Sequence, residues 1–162
     1  MCTRLHVALP ALLLAAASAL AADYPEWVKP PEDAVVLFDG SDTEKWGRGT
    51  RTDDGYLMAG ATTREKFGDC LLHLEFNMLP GPGGKRVSGN SGVYIQRRYE
   101  IQILNSHGRK PYKGGCGAIY QTKPEDKNVT RPLGEWQSYT IAFRQPRWDD
   151  EGKKTENARI SL

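Results

Sequence analysis

No window of this sequence carries a 3.6-residue apolar repeat of helical length; short apolar or alternating runs recur instead between clusters of Gly, Pro and Asp. The runs cover residues 34–38, 56–59, 70–79, 91–96, 99–104, 117–121, 136–144 and 158–162. Between them stand Asp39-Gly40, Asp53-Asp54-Gly55, Pro80-Gly81-Pro82-Gly83-Gly84, Gly114-Gly115 and Pro132-Leu133-Gly134. Strand signals at this spacing predict an all-β sandwich of two antiparallel sheets. In the run 70–79, Leu72, Leu74, Phe76 and Met78 point one way, and His73, Glu75 and Asn77 the other. The run 136–144 sets Trp136, Ser138, Thr140 and Ala142 opposite Tyr139, Ile141 and Phe143. Neither an internal repeat nor a second domain is visible. The last run starts an alternating strand and stops at Leu162 without a turn, so the sandwich is expected to be incomplete at its C-terminal end.

The N-terminal segment has a different character. Arg4 supplies a positive start, no acid precedes Asp23, and residues 7–17 are almost purely Leu and Ala, broken by Pro10. Ala19-Leu20-Ala21 then offers a small-x-small cleavage pattern, so residues 1–22 read as an export signal to the periplasm or beyond. An uncleaved anchor is the alternative, disfavoured because the apolar run is shorter than the ~20 residues a bilayer needs. Residues 23–33 follow as a Pro-rich extended arm, and 34–162 make up one domain. Losing the signal removes only Arg4 from the charge balance, which goes from +2 to +1. A near-neutral chain without a basic stripe argues against nucleic acid or an anionic membrane as partner. No other segment is apolar enough to span a membrane, and oligomeric state leaves no signature. Cys70 and Cys116 permit one disulfide in an oxidising compartment; two buried thiols are the alternative. With no C-x-x-C spacing, a structural zinc site is not expected.

The densest polar segment, residues 89–107, reads as a hairpin. An odd-numbered loop would gather Tyr94, Gln96, Glu100 and Gln102 on one face. A two-residue turn at Arg97-Arg98 would set Glu100 beside Ile95, a costly burial, so the odd loop is favoured. Rings mixed with amides and a carboxylate suit a sugar, whose C–H faces stack while its hydroxyls pair. Duller readings stand beside this one. Glu100 could pair with Arg97 or Arg98, Asn90-Ser91-Gly92 could be only a turn, His107 could be a surface residue, and Tyr120 and Trp136 could belong to the core. Asn128-Val129-Thr130 fits a glycosylation sequon, which matters only in a eukaryotic secretory route.

At these residues the sequence resembles the 3-keto-disaccharide hydrolase family. The resemblance runs through Val36-Leu37-Phe38-Asp39-Gly40, Gly68-Asp69-Cys70, Leu72-His73-Leu74-Glu75-Phe76 and Gly89-Asn90-Ser91-Gly92-Val93-Tyr94. It continues through Tyr99-Glu100-Ile101-Gln102-Ile103-Leu104, Cys116-Gly117-Ala118-Ile119-Tyr120 and Pro132-Leu133-Gly134-Glu135-Trp136-Gln137. It implies a concanavalin-A-like jelly roll, an exported bacterial protein and oxidised glycosides as substrates. Members commonly carry Asp where Asn105 stands here, and they continue past Ala158-Arg159-Ile160 into further strands. Glycosidases ordinarily set two carboxylates across the bond, whereas this strand offers Glu100 and Gln102. A 3-keto sugar needs only one base, because the ketone acidifies the neighbouring C–H. On that chemistry Glu100 is the base or a ligand-orienting acceptor, and His107 is the candidate to protonate the leaving oxygen. Asn90, Tyr94, Gln96, Arg98, Gln102, Gln121 and Trp136 are the substrate-binding candidates. No cofactor or metal ligand set is evident; the fold admits a calcium ion, yet no Asp-rich ligand loop is present. A lectin-like binding module and an inactive fragment are the rival readings.

Overall fold

The computed structural model describes Cys2–Ala8 as a backbone strand, and residues 29–85 and 87–162 with their side chains. Met1 and residues 9–28, the rest of the segment read as an export signal and the start of the Pro-rich arm, lie outside the described residues, as does Arg86.

The alternation along 70–79 and 136–144 becomes the two central strands. Leu72, Leu74, Phe76 and Met78 are buried, as are Tyr139, Ile141 and Phe143. These two rows meet because β6 (Cys70–Asn77) and β9 (Trp136–Arg144) pair antiparallel, with Leu74 opposite Tyr139 and Leu72 opposite Ile141. The Phe76 and Tyr139 rings sit 4.8 Å apart at 59°, the tilted geometry aromatic pairs favour. The sheet grows outward from this pair. β12 (Arg159–Ser161) lies on the far side of β9, and β1 (Cys2–Ala8) and β2 (Val35–Phe38) follow β6 in the order β12-β9-β6-β1-β2. β4 (Leu57–Met58) also pairs β1. A small ladder joins β3 (Trp46–Gly47) to β5 (Thr62–Thr63).

The facing layer is the hairpin of β7 (Ser91–Ile95) and β8 (Tyr99–Ile103), whose Ile95, Ile101 and Ile103 close the core. Every strand pair is antiparallel and the only helical piece described is one 3₁₀ turn, Pro82–Gly84, so the chain is an all-β jelly-roll sandwich as expected. The layers are tied by one buried hydroxyl: Tyr139 donates to the Gln102 carbonyl at 2.7 Å. Burial pushes the Tyr139 phenol well above its usual value. Among the described residues, no helix is long and apolar enough to cross a membrane.

Cys70 and Cys116 are both free thiols, Cys70 half-buried and Cys116 buried. Cys70 pairs in register with Phe143, while Cys116 lies 2.9 Å from the Tyr139 hydroxyl, four residues back along β9. That is about 13 Å of strand, beyond the ~7 Å that a disulfide bridges. Burial raises the Cys70 thiol, with a smaller push from Asp69.

One hairpin escaped the sequence reading. β10 (Arg147–Trp148) and β11 (Lys154–Glu156) pair across a charged turn in which Asp149 Oδ1 accepts from the Lys153 amide at 2.8 Å. Arg147 also grips Asp69 with both guanidinium nitrogens, and the Gln145 amide adds a bond at 2.8 Å. The Arg147 bonds first, then the Gln145 amide, hold the Asp69 carboxyl below its ordinary range. A lowered folded value means that its stabilisation is present above the unfolded value, about 3.9, and fades as pH falls through the depressed one. Asp69→Asn should therefore lower the melting temperature at neutral pH, and the gap to the native chain should narrow as pH falls below about 3.9 in thermal melts.

Candidate functional site

The site is decided by loop parity. Gln96 and Arg97 both take positive φ (52° and 55°), and the Arg98 amide bonds the Ile95 carbonyl at 3.1 Å. Ile95 then pairs with Tyr99, leaving three residues in the connection. With that odd loop, Tyr94 stands opposite Glu100 and Gly92 opposite Gln102, so Tyr94, Glu100 and Gln102 share a face, while Gln96 falls in the connection.

A third backbone segment widens it. Ile119 bridges Ile101, and the Tyr120 amide bonds the Glu100 carbonyl at 2.9 Å, which places Tyr120 beside Glu100 on the side away from Tyr94. Tyr94 and Tyr120 are 63% and 42% exposed, so neither belongs to the core. One carboxylate thus lies between two outward-facing tyrosines. The Tyr94 hydroxyl donates to Glu100 Oε2 at 2.7 Å. That bond, with lesser contributions from burial and nearby charge, pushes the Tyr94 phenol above its usual value. Glu100 makes no ion pair with Arg97 or Arg98 among the described residues.

Glycine at 92 is what lets the carboxylate lie down across the hairpin. A Cβ there would come within 2.7 Å of Glu100 Cγ and 2.9 Å of its carboxyl carbon. Next along the strand, Gln102 is 3% exposed, and its Oε1 is buried without a hydrogen-bond partner.

The other predicted residues disperse. Gln96 turns its amide to Gln145 Oε1 at 3.2 Å. Arg98 borders a separate hollow of about 240 Å³ with Pro146 and Trp148. Asn90 is exposed in the loop before β7, its amide bonded to Ser88 Oγ at 3.4 Å. Gln121 is exposed at positive φ, held by its backbone to Lys113. His107 is also exposed and sets Nδ1 against the Thr130 carbonyl at 2.7 Å; no hydrogen bond joins it to Glu100. Asn105 binds the Val87 carbonyl through Nδ2 at 3.0 Å, a structural tie. Asn128 is likewise a clamp, donating to the carbonyls of Ser106 and Arg109.

Trp136 sits elsewhere again, in a cleft of about 1260 Å³, with its ring 5.3 Å from that of Tyr56. Ser138 and Thr140 continue this wall, and Lys123, Glu125 and Thr130 form the other. Glu125 was missed by the sequence reading. It is 8% exposed, and neither carboxylate oxygen has a hydrogen-bond partner. It packs on Gly115, where a Cβ would approach its carboxyl carbon to 2.8 Å. An acid between Lys123 and Asp126 in a polar loop reads as solvated, and no periodicity betrays it. Among the described residues, no three His, Cys, Asp or Glu side chains converge as cation ligands.

A jelly-roll sandwich that presents tyrosines around a carboxylate has the chemistry that suits a carbohydrate-active protein. Within that class, residues 33–156 match the model of the 3-keto-alpha-glucoside-1,2-lyase-like domain, and the chain belongs to that family. It is also similar to a crystal structure from Parabacteroides distasonis ATCC 8503 described as a "putative glycosyl hydrolase". The two share 27% identity with a TM-score of 0.69, over 86% of this chain and 71% of the other. No curated protein matches the chain.

Proposed function

We propose that this protein cleaves the glycosidic bond of 3-keto glycosides by single-base elimination, completed by water as a net hydrolysis. The observation that carries this reading is the row Tyr94–Glu100–Tyr120, with the Tyr94 hydroxyl bonded to the carboxylate at 2.7 Å. Gln102 occupies the alternate strand position where a two-acid glycosidase would place its second carboxylate.

In the proposed reaction Glu100 takes the proton from C2, next to the ketone. The electron pair moves into a C1–C2 double bond as the C1–O bond breaks, and the leaving oxygen takes up a proton. Tyr94, whose O–H already faces Glu100, is the nearest donor for it; His107 is held toward Thr130 instead. Water then adds across the double bond, its hydroxyl to C1 and its proton to C2, to give the free 3-keto sugar, and the proton held by Glu100 returns to the Tyr94 oxygen along their hydrogen bond. Tyr94 and Tyr120 would stack against the ring, and the export signal would place the reaction in the periplasm or outside the cell.

The test is product release by the purified chain from a 3-keto-disaccharide and from its unmodified parent. Free sugar from the oxidised substrate alone supports the reading. Binding of unmodified sugars without product would favour the lectin-like alternative. Gly92→Ala should lower turnover about 10²-fold at unchanged melting temperature, because the added methyl drives the carboxylate from its seat. Steady-state kinetics beside a thermal melt check it.

A further inference from the structure

The first residues of the chain serve two readings at once. Cys2–Ala8 belongs to the segment read as an export signal, and it is also a strand inside the main sheet. Seven consecutive pairs join it to β6, from Cys2 opposite Asn77 to Ala8 opposite Leu71. Its other edge pairs β2 at Leu5, His6 and Val7, and β4 at Cys2 and Thr3.

This position is a slot one strand wide. Neighbouring strands lie about 4.8 Å apart, so β2 and β6 stand roughly 10 Å from each other. The register sets Thr3, Leu5 and Val7 opposite Phe76, Leu74 and Leu72, the core-facing row of β6. The other edge of β6 is already taken by β9. Withdrawing Cys2–Ala8 would strip hydrogen-bond partners from β2 and β6 together, beside the buried Leu37 and Phe38.

We propose that the gap between β2 and β6 is a strand-accepting site, and that Cys2–Ala8 fills it as a detachable strand. On the export reading, which this part of the inference rests on, leader and sheet compete for the same residues. A leader threaded through a translocation channel cannot pair with β6, so the folded chain withholds it from processing.

Cys2 supplies its own probe. It pairs with Met58, a partly exposed residue of β4, and antiparallel partners are about 4.5–5.5 Å apart at Cα, within disulfide reach. Met58→Cys in the full chain should give a Cys2 cross-link on mild oxidation, absent when Cys2→Ser is added. If the introduced thiol stays free, or pairs with Cys70 or Cys116, the strand placement is overturned. Hydrogen exchange on the unmutated chain tests it independently: amides of Cys2–Ala8 and β6 should be protected at least ~100-fold, and free exchange in residues 2–8 overturns it. Signal peptidase should cut the urea-unfolded chain near Ala22 and spare the folded one; equal cutting of both overturns the competition. If neither is cut, the export reading and the competition fall together, while the cross-link still decides the strand site.

Discussion

Glu100→Gln should reduce turnover of a 3-keto-disaccharide by about 10²–10⁴-fold, the usual contribution of a positioned general base. The substitution keeps the size and planarity of the side chain, so the hairpin should be unaffected. Tyr94 can still donate to the amide oxygen, as it does to Oε2 of the carboxylate at 2.7 Å. Only the capacity to take a proton from C2 disappears. The expected signature is a fall in kcat with KM within a fewfold of the native value, since Tyr94 and Tyr120 remain to hold the ring. Unchanged kcat would remove Glu100 from the chemistry. Loss of binding along with kcat would mean that the carboxylate holds substrate rather than deprotonating it.

The second large effect is on stability. Phe76→Ala should cost about 3–5 kcal/mol, read as a shift in the urea midpoint at constant slope. Phe76 is wholly buried, between the strands that define the core, and its ring meets Tyr139 at 4.8 Å. Truncation leaves a cavity against the side chain whose hydroxyl bonds the Gln102 carbonyl, one position beyond Ile101 on β8. The backbone ladder between β6 and β9 resists collapse into that space, so little of the loss should be recovered by relaxation. Loss at this position should therefore exceed that of any exposed substitution in the chain.

The strands were legible because alternation is local: Leu72, Leu74 and Phe76 declare an inner face whatever they pack against. The face carrying Tyr94, Glu100 and Gln102 was legible for a related reason. Burying a carboxylate among aliphatics is costly enough to decide the parity of the 96–98 loop. The two-residue strands such as Trp46–Gly47 and Thr62–Thr63 were not legible, since they are too short to show a period and form only because partners meet them. Gln96, Arg98, Gln121 and Trp136 shared the right chemistry with the face but not its place. Loop geometry, which residue type does not encode, sends the first three to Gln145, to the small hollow and to solvent, while Trp136, at the start of β9, lines the large cleft.

The sequence by itself determined an all-β chain, the inner and outer faces of its central strands, and the family to which residues 33–156 belong. Tertiary structure alone decided that Cys70 and Cys116 stand against positions of β9 four residues apart, that Tyr120 completes the row beside Glu100, and that Glu125 is buried against Gly115. It also decided that Cys2–Ala8 sits between β2 and β6. The division has one physical cause. Side-chain periodicity is written residue by residue, whereas the order of strands in a sheet is chosen by pairings between segments far apart in the chain, where any apolar face can in principle meet any other.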